Sequence, residues 1–353
     1  MTGTAVCLGL LAPATAVAAT QAALAALGRF PRRRQSPQSA QLPAIVVLIP
    51  AHDEEGSLSR ALRSVAEQEH PAVRVVVVAD NCTDRTADVA AGYGARVVTR
   101  SDAARRGKGY AVAAGLHALR DDSFDAVLIL DADCTLNRAA LAEIATTLAS
   151  GAGVVQASLR SLNADAGPGG FVAAVGSVVD AAVAAGRERL GFRGRLRGTG
   201  MAFCRSALGR VRWATASPVE DAEYERQLRD AGLCVRYCPG AEVSAAAPPR
   251  LKDLCRQRRR WAAAGPAESK PLGLVLAAAA VTAALALSQF VGWACALAAT
   301  LILLYGSAAA EVGLTRRRLG FALAAPVVVG RLACVAVAGW LKPDRGWEPA
   351  RAG

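Results

Sequence analysis

Apolar side chains form three long stretches near the two ends of the chain. Residues 1–28 and 271–310 contain no Asp, Glu, Lys or Arg, and residues 319–341 contain only Arg331. At about 1.5 Å per residue, the first stretch is long enough to cross a hydrocarbon core of about 30 Å. The second is long enough for a tight helical hairpin with a turn at Ser288-Gln289. We therefore predict a membrane protein with one water-facing part between these stretches.

Basic residues beside the apolar stretches predict the orientation. Arginines at 29, 32, 33 and 34 follow the first stretch, and Arg316-Arg317-Arg318 follows the second. Lys and Arg next to a span stay on the cytoplasmic side, so we expect both ends there. Residues 1–28 lack a basic start and exceed a usual signal-peptide core, which favours an anchor over a cleaved signal. Residues 319–341 fit either a span or an interfacial helix.

The middle of the chain alternates between two periodicities. Short apolar runs predict strands at residues 44–49, 73–79, 95–98 and 125–130, and helical spacing predicts helices between them, including 55–68 and 109–119. The first run ends at Pro50. Strands that alternate with helices are typical of a parallel sheet covered on both faces. The predicted fold class is therefore α/β, with a mostly parallel sheet, plus transmembrane helices.

Carboxylates follow three of the predicted strands. Asp53 and Glu55 come after the first strand, Asp80 after the second, and Asp131 and Asp133 after the fourth. The carboxyl ends of parallel strands meet at one edge of a sheet, where ligands bind. Clustered carboxylates repel one another unless a cation or hydrogen-bond donors lie among them. A divalent metal that bridges a diphosphate meets this requirement. The alternative is that these residues only cap loops.

Composition narrows the class of protein. The chain has 353 residues, a net charge of +12 and 53% hydrophobic residues, which exclude a disordered or collagen-like chain and a fully water-soluble enzyme. The basic residues lie beside the apolar stretches without interleaved aromatics, so we do not expect nucleic acid as a partner. Nine scattered cysteines and three histidines form no zinc-ribbon spacing. Reduced thiols suit a cytoplasmic domain.

Seven short motifs follow one another between residues 44 and 265. They are Pro50-Ala51-His52-Asp53-Glu54-Glu55, Asp80, Arg106-Gly107-Lys108-Gly109-Tyr110, Asp131-Ala132-Asp133, Gly198-Thr199-Gly200, Glu220-Asp221 and Gln257-Arg258-Arg259-Arg260-Trp261. In this order they resemble the family-2 glycosyltransferases with the GT-A fold. The last motif matches the Q-x-x-R-W signature of that family without a substitution. Two positions depart from it: Asp53, where many relatives have Asn, and Val219, where the cellulose-synthase-like branch usually has Thr.

The resemblance implies a role for each motif residue. Nucleotide-sugar-binding residues would be His52, Asp53, Glu55, Asp80, Lys108, Asp131 and Arg260. Asp133 and Asp131 would hold Mg²⁺ or Mn²⁺ against the diphosphate, and Asp221 would be the catalytic general base. Acceptor-binding residues would be Glu220, Gln257 and Trp261. From position alone, Glu220 and Asp221 fit equally well as ordinary first-turn acids of a helix.

Four segments follow from these expectations. They are an N-terminal transmembrane anchor at 1–30, a cytoplasmic GT-A domain at 42–266 that ends in a basic amphipathic interfacial helix, a transmembrane hairpin at 271–310, and a basic turn, third apolar segment and tail at 316–353.

The expected activity is inverting transfer from a UDP-sugar to a lipid or lipid-linked acceptor. It would take place at the cytoplasmic face of the inner or plasma membrane, with the bilayer as a partner. Three alternatives stay open: a processive polysaccharide synthase subunit that extends a glycan, a nucleotidyltransferase, and a non-catalytic membrane scaffold that keeps the fold.

Overall fold

A mixed sheet organises the middle of the chain. The computed structural model describes residues 2–31, 42–70, 73–214, 220–248, 250–262 and 291–341. In these ranges the strands are β1 Ile45–Ala51, β2 Val73–Asp80, β3 Arg96–Arg100, β4 Ala126–Ile129, β5 Thr135–Leu136, β6 Val154–Ser161, β7 Met201–Cys204 and β8 Val235–Ala245. The strand order is β3-β2-β1-β4-β7-β6-β8-β5. The predicted α/β fold is confirmed.

Helices surround this sheet and continue beyond it. They are α1 Thr2–Arg29, α2 Leu58–Ala66, α3 Thr86–Gly92, α4 Lys108–Ala118, α5 Ala140–Ala149, α6 Pro168–Arg189, α7 Arg205–Arg210, α8 Glu220–Asp230, α9 Leu251–Ala262, α10 Val291–Val312 and α11 Arg316–Leu341. The first half of the predicted hairpin, with its turn at Ser288-Gln289, lies outside the described residues, and α10 corresponds to the second half.

The sheet is parallel over the four predicted strands and mixed beyond them. Strands β3, β2, β1 and β4 are parallel neighbours, but β7 runs antiparallel between β4 and β6. Just before β7, the N–H of Gly200 donates to the carbonyl of Ile129, the last residue of β4, at 2.9 Å. The chain thus enters β7 at the level where β4 ends. It therefore runs back through the sheet from the edge where the acidic residues lie.

Strand β1 is buried on both faces. Val47 and Ile49 pack into the core beneath α2 and α5, while Val46 and Leu48 pack into the core beneath α4 and α8. This explains the unbroken apolar run. The strand continues through Pro50, contrary to the predicted end there. Leu48 is the last residue of β1 in register with β4, so Pro50 lies beyond the β1–β4 ladder, where a proline is tolerated.

Four helices form a bundle on one side of the sheet. Helices α1, α6, α10 and α11 share an apolar cluster that includes Ala25, Phe171 and Leu304. By length and composition, three helices in the described part could cross a membrane: Pro168–Arg189, Ala294–Val312 and Arg316–Val335. The first of these, α6, was not expected as an apolar span. It also packs on β6 and β8, so it lies between the sheet and the other helices.

Ion pairs connect the bundle to the sheet at one level. Glu311 at the end of α10 lies 3.9 Å from Arg29 of α1 and 3.2 Å from Arg160 of β6. Arg318 in the first turn of α11 lies 2.6 Å from Asp165. The ends of three apolar helices therefore meet beside the sheet.

Helix α9 uses its apolar side for contacts within the protein. Leu254 is buried against Val328 and Leu332 of α11. The predicted amphipathic helix is present, and its position at a membrane surface stays a prediction.

Glycine allows α1 and α6 to approach closely. A Cβ atom at Gly186 would lie 1.9 Å from the carbonyl oxygen of Leu24, and one at Gly28 would lie 2.0 Å from that of Ala182. Contacts of this kind between small residues bring helix backbones together where apolar helices associate.

Gly186→Ala should loosen this crossing. The methyl group forces the helices apart, and we expect a loss of about 1–3 kcal/mol of unfolding free energy, seen as a lower melting temperature in detergent by circular dichroism. Gly176→Ala is the matched control, because a Cβ there meets no described atom within 4 Å. It should be neutral or stabilising by up to about 1 kcal/mol. Equal melting temperatures for the two variants would contradict the close crossing.

Candidate active site

Lys108 lies at the centre of the acidic edge of the sheet. Its Nζ contacts Asp131 in an ion pair, donates to Gly198 O at 2.6 Å and lies 3.8 Å from Glu220 Oε1. Burial alone would lower the pKa of Lys108, but the charges of Asp131 and Glu220 outweigh it and raise the pKa well above its usual value. The lysine therefore stays charged and holds acidic side chains from two separate elements together.

The turn Gly198-Thr199-Gly200 forms one wall of the site. Gly198 and Gly200 have φ angles of 78° and 66°, which glycine adopts without strain. Thr199 Oγ1 accepts from the backbone N–H of Asp131 at 2.9 Å. A Cβ at Gly198 would lie 3.6 Å from Asp221 Oδ2, so the turn lies against that carboxylate as well.

Helix α8 brings Glu220 and Asp221 to this edge. Tyr224 of α8 is fully buried, and its ring packs edge-on against Phe203 at 5.4 Å between centroids. Trp213 packs on Tyr224 and donates from Nε1 to Gly109 O at 3.1 Å, which connects α8 with the start of α4. These contacts fix the first turn of α8 beside Lys108.

Glu220 is a buried acid in this environment. Burial raises the pKa of Glu220 to about 7; the ammonium of Lys108 opposes the shift and the neighbouring Asp221 adds to it. Glu220 is thus able to hold or release a proton near neutral pH, next to a carboxylate whose Oδ1 accepts from the N–H of Ala222 at 2.9 Å.

Asp131, Asp133 and Cys134 form a candidate metal cluster. One ligand atom from each lies within 4.8 Å of the others. Burial, followed by the charges of Asp131 and Asp133, raises the pKa of the Cys134 thiol well above its usual value, and Sγ donates to Asp133 Oδ1 at 3.5 Å. The carboxylates are therefore the available oxygen ligands, which suits a hard divalent cation.

The acidic residues after β1 hold the loop after β2. Asp53 Oδ1 accepts from the N–H of Thr83 at 2.6 Å, and Glu55 Oε2 accepts from the N–H of Arg85 at 3.1 Å. Asp53 has a φ of 51°, a left-handed conformation that Asp and Asn tolerate best. Either residue therefore fits this position.

Asp80 ends β2 as a buried carboxylate. Arg100 Nη1 lies 2.5 Å from Asp80 Oδ1, and the guanidinium lies over the ring of Tyr110 at 5.5 Å. His52 Nδ1 is 2.7 Å from Asp80 O. Because β2, β1 and β4 are parallel neighbours, this group lies on the same edge as Asp131.

A second acidic group, Asp53, Cys82 and Asp84, also has metal-like spacing. Its carboxylates accept backbone N–H groups of Thr83 and Thr86 at 2.6 and 2.9 Å. This accounts for the group as a means of ordering the loop.

The last sequence motif is described only in part. Gln257 is half-buried on α9, whereas the side chains of Arg260 and Trp261 lie outside the described residues. Their predicted roles stay predictions.

Sequence reasoning missed several residues that build the site. They are Arg100, Gln156, Thr199 and Trp213. Arg100 follows the third predicted strand by two residues, but its register with Asp80 on the neighbouring strand is known only from the structure. Thr199 belongs to the Gly198-Thr199-Gly200 motif, but no local pattern indicates that its hydroxyl accepts from Asp131, 68 residues away along the chain.

Taken together, the edge carries the ammonium of Lys108, the carboxylates of Asp131, Glu220 and Asp221 around it, and an oxygen cluster suited to a divalent metal. Such an arrangement can hold a diphosphate through a metal and remove a proton from a nearby hydroxyl.

Comparisons with known proteins agree with this geometry. The family model described as "Glycosyltransferase like family 2" matches residues 43–264. The probable glycosyltransferase YdaM of Bacillus subtilis (strain 168) is 28% identical in a 234-residue alignment that covers 63% of this chain and 55% of YdaM. The 4,4'-diaponeurosporenoate glycosyltransferase of Staphylococcus aureus (strain USA300) is 37% identical in a 99-residue alignment that covers 27% of this chain and 25% of that protein. The aligned part thus spans about half of YdaM and a quarter of the second relative.

A solved structure supports the fold. The mannosyltransferase PcManGT from Pyrobaculum calidifontis, in complex with GDP-Man and Mn²⁺, superposes with a TM-score of 0.59 at 20% identity. The alignment covers 96% of this chain and 98% of PcManGT. With the family model, this confirms the GT-A fold: the chain belongs to glycosyltransferase-like family 2.

Proposed function

We propose that this chain is an inverting glycosyltransferase that moves a sugar from a UDP-sugar to a hydroxyl of a lipid or lipid-linked acceptor. The observation that carries the proposal is the contact of Lys108 with Asp131 and Glu220, next to Asp221, at the carboxyl edge of the sheet. Ligands of open α/β sheets bind at this edge. Family membership supports transfer from a nucleotide-sugar donor.

The donor would occupy the edge from β2 to β4. His52, Asp53, Glu55 and Asp80 would hold the nucleoside end, and Lys108 and Asp131 the diphosphate and sugar. Two features support this placement: the loops after β1 and β2 are tied together by hydrogen bonds, and the strands that carry these residues are parallel neighbours.

Asp131 and Asp133 fit a divalent cation. Their oxygens lie within 4.8 Å of each other, beside a thiol that stays protonated. Mg²⁺ or Mn²⁺ bound there would offset the charge of the diphosphate as it leaves.

Asp221 would act as the general base. It would take the proton of the acceptor hydroxyl while the oxygen attacks the anomeric carbon opposite the diphosphate, so the anomeric configuration inverts. Glu220 would position the acceptor beside Asp221. The ammonium of Lys108 would offset the negative charges of Asp131 on the donor side and of Glu220 on the acceptor side. Gln257, Arg260 and Trp261 would complete the site from α9.

The bundle favours an acceptor that reaches the site from a membrane. Exposed apolar side chains on α10 and α11 include Ile302, Leu303, Leu323 and Val327. The ion pairs of Arg29, Glu311 and Arg318 lie at the helix ends next to the sheet. We infer that this level marks the cytoplasmic surface, because basic residues collect there.

Asp221→Asn tests the general base. We expect transfer to fall by about a hundredfold or more, because the amide cannot take the proton. The measurement is nucleotide diphosphate release from a panel of UDP-sugars and GDP-mannose, with membrane lipid extract as acceptor. Asp230→Asn at the other end of α8 is the matched control, since that carboxylate is 78% exposed.

Two outcomes would be decisive. Wild-type rates in Asp221→Asn would remove this residue from catalysis. If the wild-type protein consumed no donor, and cells carrying Asp221→Asn kept the wild-type phenotype, the protein would instead be a scaffold.

Asp133→Asn tests the metal site. We expect the Mn²⁺-dependent binding of UDP, measured by calorimetry, to weaken at least about tenfold, and EDTA to abolish it in the wild type. Asp121→Asn is the control, because that side chain is 85% exposed. Tight UDP binding in EDTA would contradict a metal bridge.

A further inference from the structure

Gln156 is a fully buried polar residue in the middle of strand β6. Its exposed fraction is 0%, and so are those of its neighbours Val155 and Ala157. A buried amide is costly unless it is hydrogen-bonded, so its partners indicate why the strand carries it.

The amide bonds chiefly with the segment that enters the site. Gln156 Oε1 accepts from the N–H of Arg197 at 2.9 Å, and Nε2 donates to Thr199 O at 2.9 Å. Nε2 also donates to Ala157 O at 2.9 Å. Gln156 therefore clamps Arg197 and Thr199, the two residues that flank Gly198, to strand β6.

The clamped segment delivers two contacts to the site. Gly198 O accepts from Lys108 Nζ at 2.6 Å, and Thr199 Oγ1 accepts from the N–H of Asp131 at 2.9 Å. Since both partners also form an ion pair with each other, the position of the turn sets the position of the pair.

Two further anchors hold the same segment. The N–H of Leu196 donates to Glu225 Oε2 of α8 at 2.8 Å, and the Arg197 guanidinium lies 3.6 Å from Asp180 of α6. Neither anchor contacts residues 198–200. Gly200 is held there by backbone hydrogen bonds, since its N–H donates to Ile129 O at 2.9 Å and its carbonyl accepts from the N–H of Ala157 at 2.8 Å, while Gln156 holds the carbonyl of Thr199.

We propose that Gln156 is a positioning residue that fixes the 197–200 turn and, through it, the Lys108–Asp131 pair. Its effect on sugar transfer rests on the proposed function. Its effect on Lys108 does not, because that contact is a property of the folded chain alone.

Gln156→Leu is the first test variant, and Gln68→Leu is its matched control. Gln68, which is half-buried, makes the same three kinds of bond without contacting residues 197–200: Nε2 donates to Ser64 O and Asn137 O at 2.8 and 2.9 Å, and Oε1 accepts from Leu141 N–H at 3.0 Å. Gln156→Glu, which keeps the acceptor for Arg197 N–H, is the second variant should the first fail to fold.

The primary readout is the reactivity of Lys108 towards trace acetic anhydride, measured by peptide mass spectrometry of the full-length protein in detergent. The exposed Lys252 is the internal reference. Lys108 should react slowly in the wild type because its ammonium is half-buried and bonded to Asp131 and Gly198 O, where the reagent reaches it poorly. In Gln156→Leu or Gln156→Glu its relative rate should rise at least about fivefold, whereas Gln68→Leu should stay within about twofold of the wild type.

The second readout is donor turnover at saturating donor. We expect a fall of at least about tenfold in the Gln156 variants and little change in Gln68→Leu. Unchanged Lys108 reactivity in the folded Gln156 variants would overturn the inference. A raised Lys108 reactivity in a protein whose wild type transfers no sugar would leave the positioning role intact and refute the proposed function instead.

Discussion

The placement of one ammonium group among carboxylates is the constraint on which the site depends. Lys108 contacts Asp131, lies near Glu220 and donates to Gly198 O. Without it, acids from the end of β4 and the start of α8 would face one another at short range, and their repulsion would separate these elements. With it, the edge keeps an excess of negative charge. Such an excess attracts a divalent cation, and hence a diphosphate that the cation chelates.

Strand ends and motif order were sufficient to predict much of this edge. Asp80, Asp131 and Asp133 each follow an apolar run, and parallel strands bring such ends together. Glu220 was predicted through the order of the family motifs and not from its own surroundings, because its position depends on Tyr224, Phe203 and Trp213 packing across long sequence separations. No local pattern contains that information.

Other features escaped prediction for different physical reasons. The sequence does not single out Gln156, because a glutamine in a strand is expected at an exposed position until the burial of β6 is known. The antiparallel direction of β7 is set by where the chain re-enters the sheet after α6. Helix α6 itself is apolar on most sides because it contacts the sheet on one side and α1, α10 and α11 on another. Composition alone cannot separate that situation from contact with lipid.

Helix α6 also connects the helix bundle with the candidate active site. Gly186 of α6 packs on the backbone of α1, while Asp180, less than two turns away, faces Arg197. Arg197 directly precedes Gly198, whose carbonyl accepts from Lys108. A displacement of α6 relative to the sheet would therefore act on the 197–200 turn through the Arg197–Asp180 ion pair, opposed by the clamp from Gln156. Because a protein interior is close-packed, the 197–200 turn keeps a single position only if the Gln156 hydrogen bonds and the Arg197–Asp180 ion pair favour the same one. The site is thus fixed jointly by the sheet and by the helices that pack beside it.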